Sequence, residues 1–213
     1  MAARVSEAIV LRSYPLREAD LIVSFFTRDL GKLRGVARRA RKPGSRFGSG
    51  LERLSHIRLF YFQRENRDLS TLDSCELIGS RFGLAGDYDL TVGLDFMAEV
   101  SDSLLPTGEP NEKYFRLVLS VTDHLLKTGI EGLWPAVNYF TLWAVRLSGF
   151  LPPLELDEDD HAAAEEMLRT PVARLAPRQW SRLTMQGMRR QLVGAIEEHV
   201  EHRLTTPRYL ETL

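Results

Sequence analysis

From Val5 to Ile78 the apolar residues recur with a period of two in short runs, and after Gly86 the period lengthens to nearly four. The first part predicts five strands of four to ten residues, separated by polar or Gly-containing turns. They are Val5–Tyr14, closed by Pro15, then Leu21–Thr27, Lys32–Ala37, Ile57–Gln63 and Leu69–Ile78. Leu21–Thr27 has the β-branched and aromatic content of a strand apolar on both faces. Glu65-Asn66-Arg67-Asp68 supplies a hairpin between the last two strands. Five short strands within about eighty residues predict a small barrel.

The second part is helical. Asp87-Tyr88-Asp89 offers caps for a helix carrying Leu90, Leu94, Met97 and Ala98 on one face, ended by Pro106-Thr107-Gly108. A second helix starts at Pro110 and places Tyr114, Leu117, Val118, Val121 and Leu125 on a stripe. Leu133–Leu147 is apolar nearly all round and is expected at the centre of a bundle, stopped by Gly149 and Pro152-Pro153. A last long helix from about Pro177 buries Met185, Met188, Leu192, Ile196 and Val200 and leaves Arg189, Arg190 and Glu197 to solvent. The expected class is β then α (α+β), with a barrel domain over 1–80 and a helical domain over 81–213.

Charge changes this picture. The whole chain has a formal net charge of −1, but residues 1–78 hold 15 Lys and Arg against 9 Asp and Glu, and residues 79–213 hold 13 against 20. Seven cations and no carboxylate lie between positions 32 and 46: Lys32, Arg34, Arg38, Arg39, Arg41, Lys42 and Arg46. Such a run repels itself, and a bound polyanion relieves that cost. The alternative is a solvated, disordered loop. Along the fourth strand Ile57, Leu59 and Tyr61 share one face, and Arg58, Phe60 and Phe62 the other. An Arg beside two aromatics favours the second as a stacking surface, against the reading that all these rings are barrel core.

Candidate chemistry is otherwise sparse. No G-x-x-x-x-G-K-[ST] cradle, G-x-S-x-G elbow or H-E-x-x-H pair occurs. His199 and His202 lie among Glu197, Glu198 and Glu201, and His161 beside Asp157–Asp160; both read as solvated helix ends, the acidic run as a helix amino-terminus. Cys75 is the single cysteine, so neither a disulfide nor a cysteine-based zinc site is available. Cys75 is expected as a small buried residue. No signal peptide follows Arg4, and Leu133–Leu147 is broken by Pro135, Asn138 and Arg146, so a cytoplasmic address is expected and no membrane association.

Specific strings resemble the bacterial recombination mediator family RecO. These are Ala8–Tyr14 followed by Glu18-Ala19-Asp20, Thr27 through Gly31, Val36-Ala37-Arg38 with Arg41, Ser45, Gly48 and Leu51, then Leu72–Leu77 and the tail Leu204–Leu213. The resemblance implies an oligonucleotide-binding (OB-fold) barrel followed by a helical domain, and binding without turnover. It implies single- and double-stranded DNA as ligands, annealing of complementary strands, and a nucleoid-associated address. It also implies RecR as a partner, recognition of the C-terminal tail of single-stranded DNA-binding protein, and indirect assistance to RecA. Many members carry a four-cysteine zinc module in the helical part; Gly149–Asp160 has no cysteine, so no zinc or other cofactor is expected here.

The DNA site is expected to comprise the seven cations with Arg58, Phe60 and Phe62. An acidic tail ending in an apolar residue needs an apolar pocket rimmed by cations, for which Tyr114, Arg116, Phe140, Trp143, Arg146 and Leu147 are the candidates. Two competing classes remain: an interaction module whose barrel docks protein or RNA, and a phosphodiesterase, which would need machinery that the sequence does not display.

Overall fold

The computed structural model describes residues 2–63 and 68–213. The chain forms strands β1 (Ala2–Pro15), β2 (Leu21–Thr27), β3 (Gly31–Ala37), β4 (His56–Gln63) and β5 (Leu69–Gly79). Helices follow: α1 (Tyr88–Leu104), α2 (Glu112–Thr128), α3 (Leu133–Leu147), α4 (Glu158–Arg169), α5 (Gln186–His199) and the single turn α6 (Pro207–Leu210). The β-then-α class is therefore as the sequence predicts. Residues 65–67 of the expected β4–β5 hairpin lie outside the described residues.

The five strands close into a barrel in the order β1-β2-β3-β5-β4. β3 and β5 run parallel, and every other pair is antiparallel. β1 can serve two neighbours because it is long: its first half pairs with β4 and its second with β2, with an irregularity between Val10 and Arg12 that lets it bend. Inside lie Ala8, Val10, Val23, Phe25, Leu33, Ala37, Ile57, Leu59, Tyr61 and Leu72. Phe25 meets Tyr61 edge to face at 5.8 Å, and the buried Tyr61 hydroxyl shares a 3.1 Å hydrogen bond with Ser6. Burial pushes the Tyr61 pKa up.

The chain divides into two compact units, 1–83 with 105–115, and 84–104 with 116–213. The pattern alone groups 105–115 with the helices, yet this segment belongs with the barrel. Gly31, at φ +75°, explains how closely it approaches: a Cβ there would stand 2.2 Å from the Glu109 carbonyl oxygen. Tyr114 and Phe115 cover the outward ring of Phe26, at 6.1 and 5.7 Å between centroids. Arg28 ties the segment down through a two-pronged contact to Glu112, and it also pairs with Glu7.

In the helical unit α3 is buried nearly all round, and Met188, Leu192 and Ile196 of α5 are buried with it. Asp157 caps α4 by accepting from the Asp160 amide at 2.8 Å, which gives the acidic run the role of a helix amino-terminus. Glu99 is buried and accepts from the amides of Thr205 and Thr206, which fastens the carboxyl-terminal segment.

Three expectations fail in this unit, one of them Glu197, which does not face solvent but is 12% exposed and accepts from Arg203 and from the Leu204 amide. The last helix begins at Gln186, not near Pro177, because Ser181 and Thr184 hydroxyls capture the intervening amides and Met185 adopts a left-handed φ of 56°. Arg189 does not face solvent. It is 3% exposed and donates to the Asn138 side chain at 2.8 Å, to the Thr184 carbonyl at 2.9 Å and to the Arg182 carbonyl.

Candidate nucleic-acid interface

The basic run divides between a strand and a loop. On β3 the burial alternates, so Leu33, Gly35 and Ala37 face the core and Lys32, Arg34 and Val36 face outward. The loop that follows, residues 38–55, is a chain of turns rooted in the barrel. Phe47 and Leu51 are buried in the barrel core, the Leu54 amide donates to Val10 at 2.8 Å, and the Val10 amide returns a bond to Ser55 at 3.1 Å. The entrance is held by two further bonds, from the Arg39 amide to Asp20 at 2.8 Å and from the Arg41 amide to Ala19 at 3.1 Å. With the backbone occupied in this way, the Arg38, Arg39, Arg41, Lys42 and Arg46 side chains are exposed. The segment is thus hydrogen-bonded along its backbone while its cationic side chains are solvated.

Cys75 on β5 is where the loop meets the sheet. Its amide donates to the Arg46 carbonyl at 3.4 Å and its thiol to the Phe47 carbonyl at 3.4 Å. Gly50 has to be glycine here, since a Cβ would lie 2.4 Å from the Cys75 sulfur. Cys75 is half-buried, not fully buried as expected, and burial pushes its thiol up to about 11. Only the thiolate reacts with alkylating agents. At pH 8 iodoacetamide is therefore expected to label Cys75 about a hundredfold more slowly than a free cysteine, and at the free rate once urea unfolds the chain. Fast labelling of the folded protein would mean that the loop is not seated on β5.

Register places Arg34, Arg58, Phe60 and Phe62 on one outer sheet face, whereas Lys32 lies apart from it, half-buried beyond the β3–β5 pairing and bridged to Thr107. Arg34 lies opposite Leu69 and Val36 opposite Thr71 across β3–β5; Thr71 then lies opposite Phe62, Ser74 opposite Phe60 and Glu76 opposite Arg58 across β5–β4. Ile57, Leu59 and Tyr61 are buried inward, leaving Phe60 and Phe62 half-buried on the outside. With strands about 4.8 Å apart, Val36 and Phe62 are separated by about 10 Å across this face. It presents two rings, Thr71 and Leu69, with Arg34 at one side. Arg58 is engaged with Glu76 at 2.8 Å, an exposed pair that a phosphate can displace.

Two long-range proximities of the loop escape sequence reasoning. Asp73, 27 residues beyond Arg46, forms a 3.1 Å ion pair with it. Arg53, past the end of the expected run, lies close enough to Arg12 that, after burial, the Arg12 charge is the second cause of its lowered pKa. Neither pairing has a local signal, because each joins residues of different elements.

The protein-binding candidates separate. Tyr114 belongs to the barrel unit and is fully buried, as is Phe140 in the helical unit, so neither offers a ligand any surface. Arg116 is exposed on α2. Trp143, Arg146 and Leu147 remain together on α3: Trp143 donates its indole N–H to the Met167 carbonyl at 2.9 Å, and the exposed Arg146 guanidinium lies 5.1 Å from the Trp143 ring centre. No group of three or more metal-ligating side chains occurs among the described residues. No described helix is long and apolar enough to cross a membrane.

Comparison with known proteins agrees with the barrel and the helices in turn. Residues 1–81 match the family description "Recombination protein O N terminal", and residues 85–157 match "Recombination protein O C terminal". A DNA repair protein RecO of Koribacter versatilis is 40% identical over 98% of this chain and 98% of its own length. This chain belongs to the RecO family. RecO proteins of Nocardioides sp. and Geobacter metallireducens are 34% and 35% identical, over 70% and 59% of this chain and 61% and 50% of their own lengths. The family match takes in the whole barrel with its cationic loop, and in the helical part ends at Asp157.

Proposed function

We propose that this RecO-family chain is a non-catalytic DNA-repair mediator that holds DNA on the loop of residues 38–55 and on the outer β3–β5–β4 face. The observation that carries this reading is the loop itself: five exposed cations on a backbone fastened to the barrel at both ends. A scaffold of this kind tracks phosphates with its loop while bases stack on sheet aromatics, here Phe60 and Phe62. Among the described residues no base-reading side-chain set stands beside them, so sequence preference is expected to be weak.

In this reading the chain binds single and double strands, anneals complementary strands, and assists RecA loading together with RecR on strands coated by single-stranded DNA-binding protein. The acidic tail of that protein would be received by the helical unit at Trp143, Arg146 and Leu147. No zinc is required. Gly149–Asp160 is fastened by side chains instead, with Phe150 stacked on His199 at 4.0 Å and Gln191 bonded to both the amide and the carbonyl of Glu155. Nothing in this reading calls for turnover, and a labelled strand is expected to stay intact.

Anisotropy titration of a single-stranded oligonucleotide across several salt concentrations is the test. If about five cations neutralise phosphates, log K falls against log salt with a slope near −3.5, about a hundredfold for a fourfold rise in salt. A slope near zero, or no binding in dilute buffer, would remove the loop from the DNA site.

A further inference from the structure

The loop cations do not form a flat row. Arg38, Arg39, Lys42 and Arg46 converge on a cavity of about 270 Å³ closed by Pro43, Gly44, Ser45 and Phe47, with Asp73 as its one carboxylate. We propose that this cavity is the seat of a terminal phosphate monoester, so that the protein grips a DNA strand preferentially by a phosphorylated end. The proposal rests on the DNA-binding reading above and adds to it a particular part of the strand.

Charge is the first argument. Four cations and one carboxylate leave a lining of three net positive charges, whereas an internal phosphodiester brings one negative charge. A monoester brings between −1.5 and −2 at neutral pH, with three strong acceptor oxygens. Forked guanidinium groups suit those oxygens, because each can donate two parallel hydrogen bonds.

Shape is the second. Pockets for small ligands run from about 300 to 1,000 Å³, so this one admits a phosphate with part of its sugar and leaves the base outside. The cavity is partly open to solvent, and a strand end needs room in it for one continuing strand segment where an internal diester needs room for two.

The third argument is that the cavity's walls are fastened to the barrel. Phe47 is 5% exposed in the barrel core, and the Cys75 amide holds the Arg46 carbonyl. Asp73 pairs with Arg46 at 3.1 Å, but both side chains are well exposed, at 73% and 42%. An exposed pair of this kind contributes little, so a dianionic phosphate can take over the guanidinium.

The experiment compares matched oligonucleotides on the full chain at low salt: one ended by hydroxyls, one with a 5′-phosphate, one with a 3′-phosphate, and a hydroxyl-ended strand one nucleotide longer. The longer strand adds one diester charge without a monoester. One phosphorylated strand is expected to bind about tenfold more tightly than both hydroxyl-ended strands, one further charge-assisted contact being enough for that factor. Equal binding of all four would overturn the proposal and leave the DNA-binding reading intact; binding of none would overturn both.

Lys42→Ala combined with Arg46→Ala is expected to bring the ratio of phosphorylated to hydroxyl-ended affinity close to one. An undiminished ratio would place the end elsewhere and overturn the assignment. Inorganic phosphate and a free mononucleotide are expected to erase the gain only in large excess, since neither has the strand's further contacts. Erasure at concentrations comparable to the oligonucleotide would identify a free anion as the ligand and sink the strand-end reading.

Discussion

Reversing Arg38, Arg39 and Arg41 to Glu together is expected to weaken binding of single-stranded DNA about a thousandfold in dilute buffer, each lost charge-assisted contact contributing roughly a factor of ten or more. The fold has little reason to respond. All three side chains are exposed, and the contacts that seat this part of the loop come from the backbone amides of Arg39 and Arg41, which Glu retains. Among the described residues the one side-chain bond lost is a long one, from Arg41 to the Glu18 carbonyl at 3.4 Å. Reversal also places two carboxylates, at positions 38 and 39, in the cavity that Asp73 lines, and a third on the same loop, which turns attraction for phosphate into repulsion. Reversing the exposed Arg174 of the helical unit is the matched control and is expected to leave affinity within about twofold. The measurement is fluorescence anisotropy, with circular dichroism to verify the fold. A loss below about tenfold would place the DNA on another surface.

Arg189→Ala is expected to destabilise the protein by about 3–5 kcal/mol, the cost of breaking a buried charged network. That corresponds to a fall of roughly 10 °C in melting temperature for a chain of this size. The guanidinium joins α3 to the segment before α5, donating to Asn138, Thr184 and Arg182, with its centre 4.8 Å from the Trp134 ring. Burial pushes its pKa down to about 10, so at neutral pH it is a charged group held almost wholly by neutral acceptors. Removing it leaves the buried Asn138 oxygen and two carbonyls without that donor. Arg189→Lys keeps the charge but loses the fork, and is expected to recover less than half of the loss. A change below about 1 kcal/mol for Arg189→Ala, measured by thermal or urea unfolding, would show that the hub carries no stability.

These two sites mark how far pattern alone reaches. The cations of the loop are legible because they crowd a short stretch of chain and because no carboxylate lies among them. Arg189 is invisible to the same reasoning. It sits one position beyond Met188 on an amphipathic stripe, where a cation ordinarily points to water, and its acceptors lie on a helix 51 residues earlier and in a loop. The start of α5 fails for a related reason, since periodicity does not register hydroxyls that compete with helical hydrogen bonds at Ser181 and Thr184. Tyr114 and Phe140 fall where an apolar stripe predicts them, and full burial is what removes them as a contact surface.

By itself the sequence determined the strands to within a few residues, the limits of α3, the helical character of the second part and the density of charge in the loop. Each of these follows from neighbours along the chain: side-chain period, turn residues and local electrostatics. Only the tertiary structure decided that β3 lies parallel to β5, that residues 105–115 seal one side of the barrel, that Asp73 faces Arg46, and that the loop cations close around a cavity. Those are pairings between residues far apart in the chain, chosen by barrel closure and by the burial of Phe47, Phe26 and Gly31, for which no single segment carries the information.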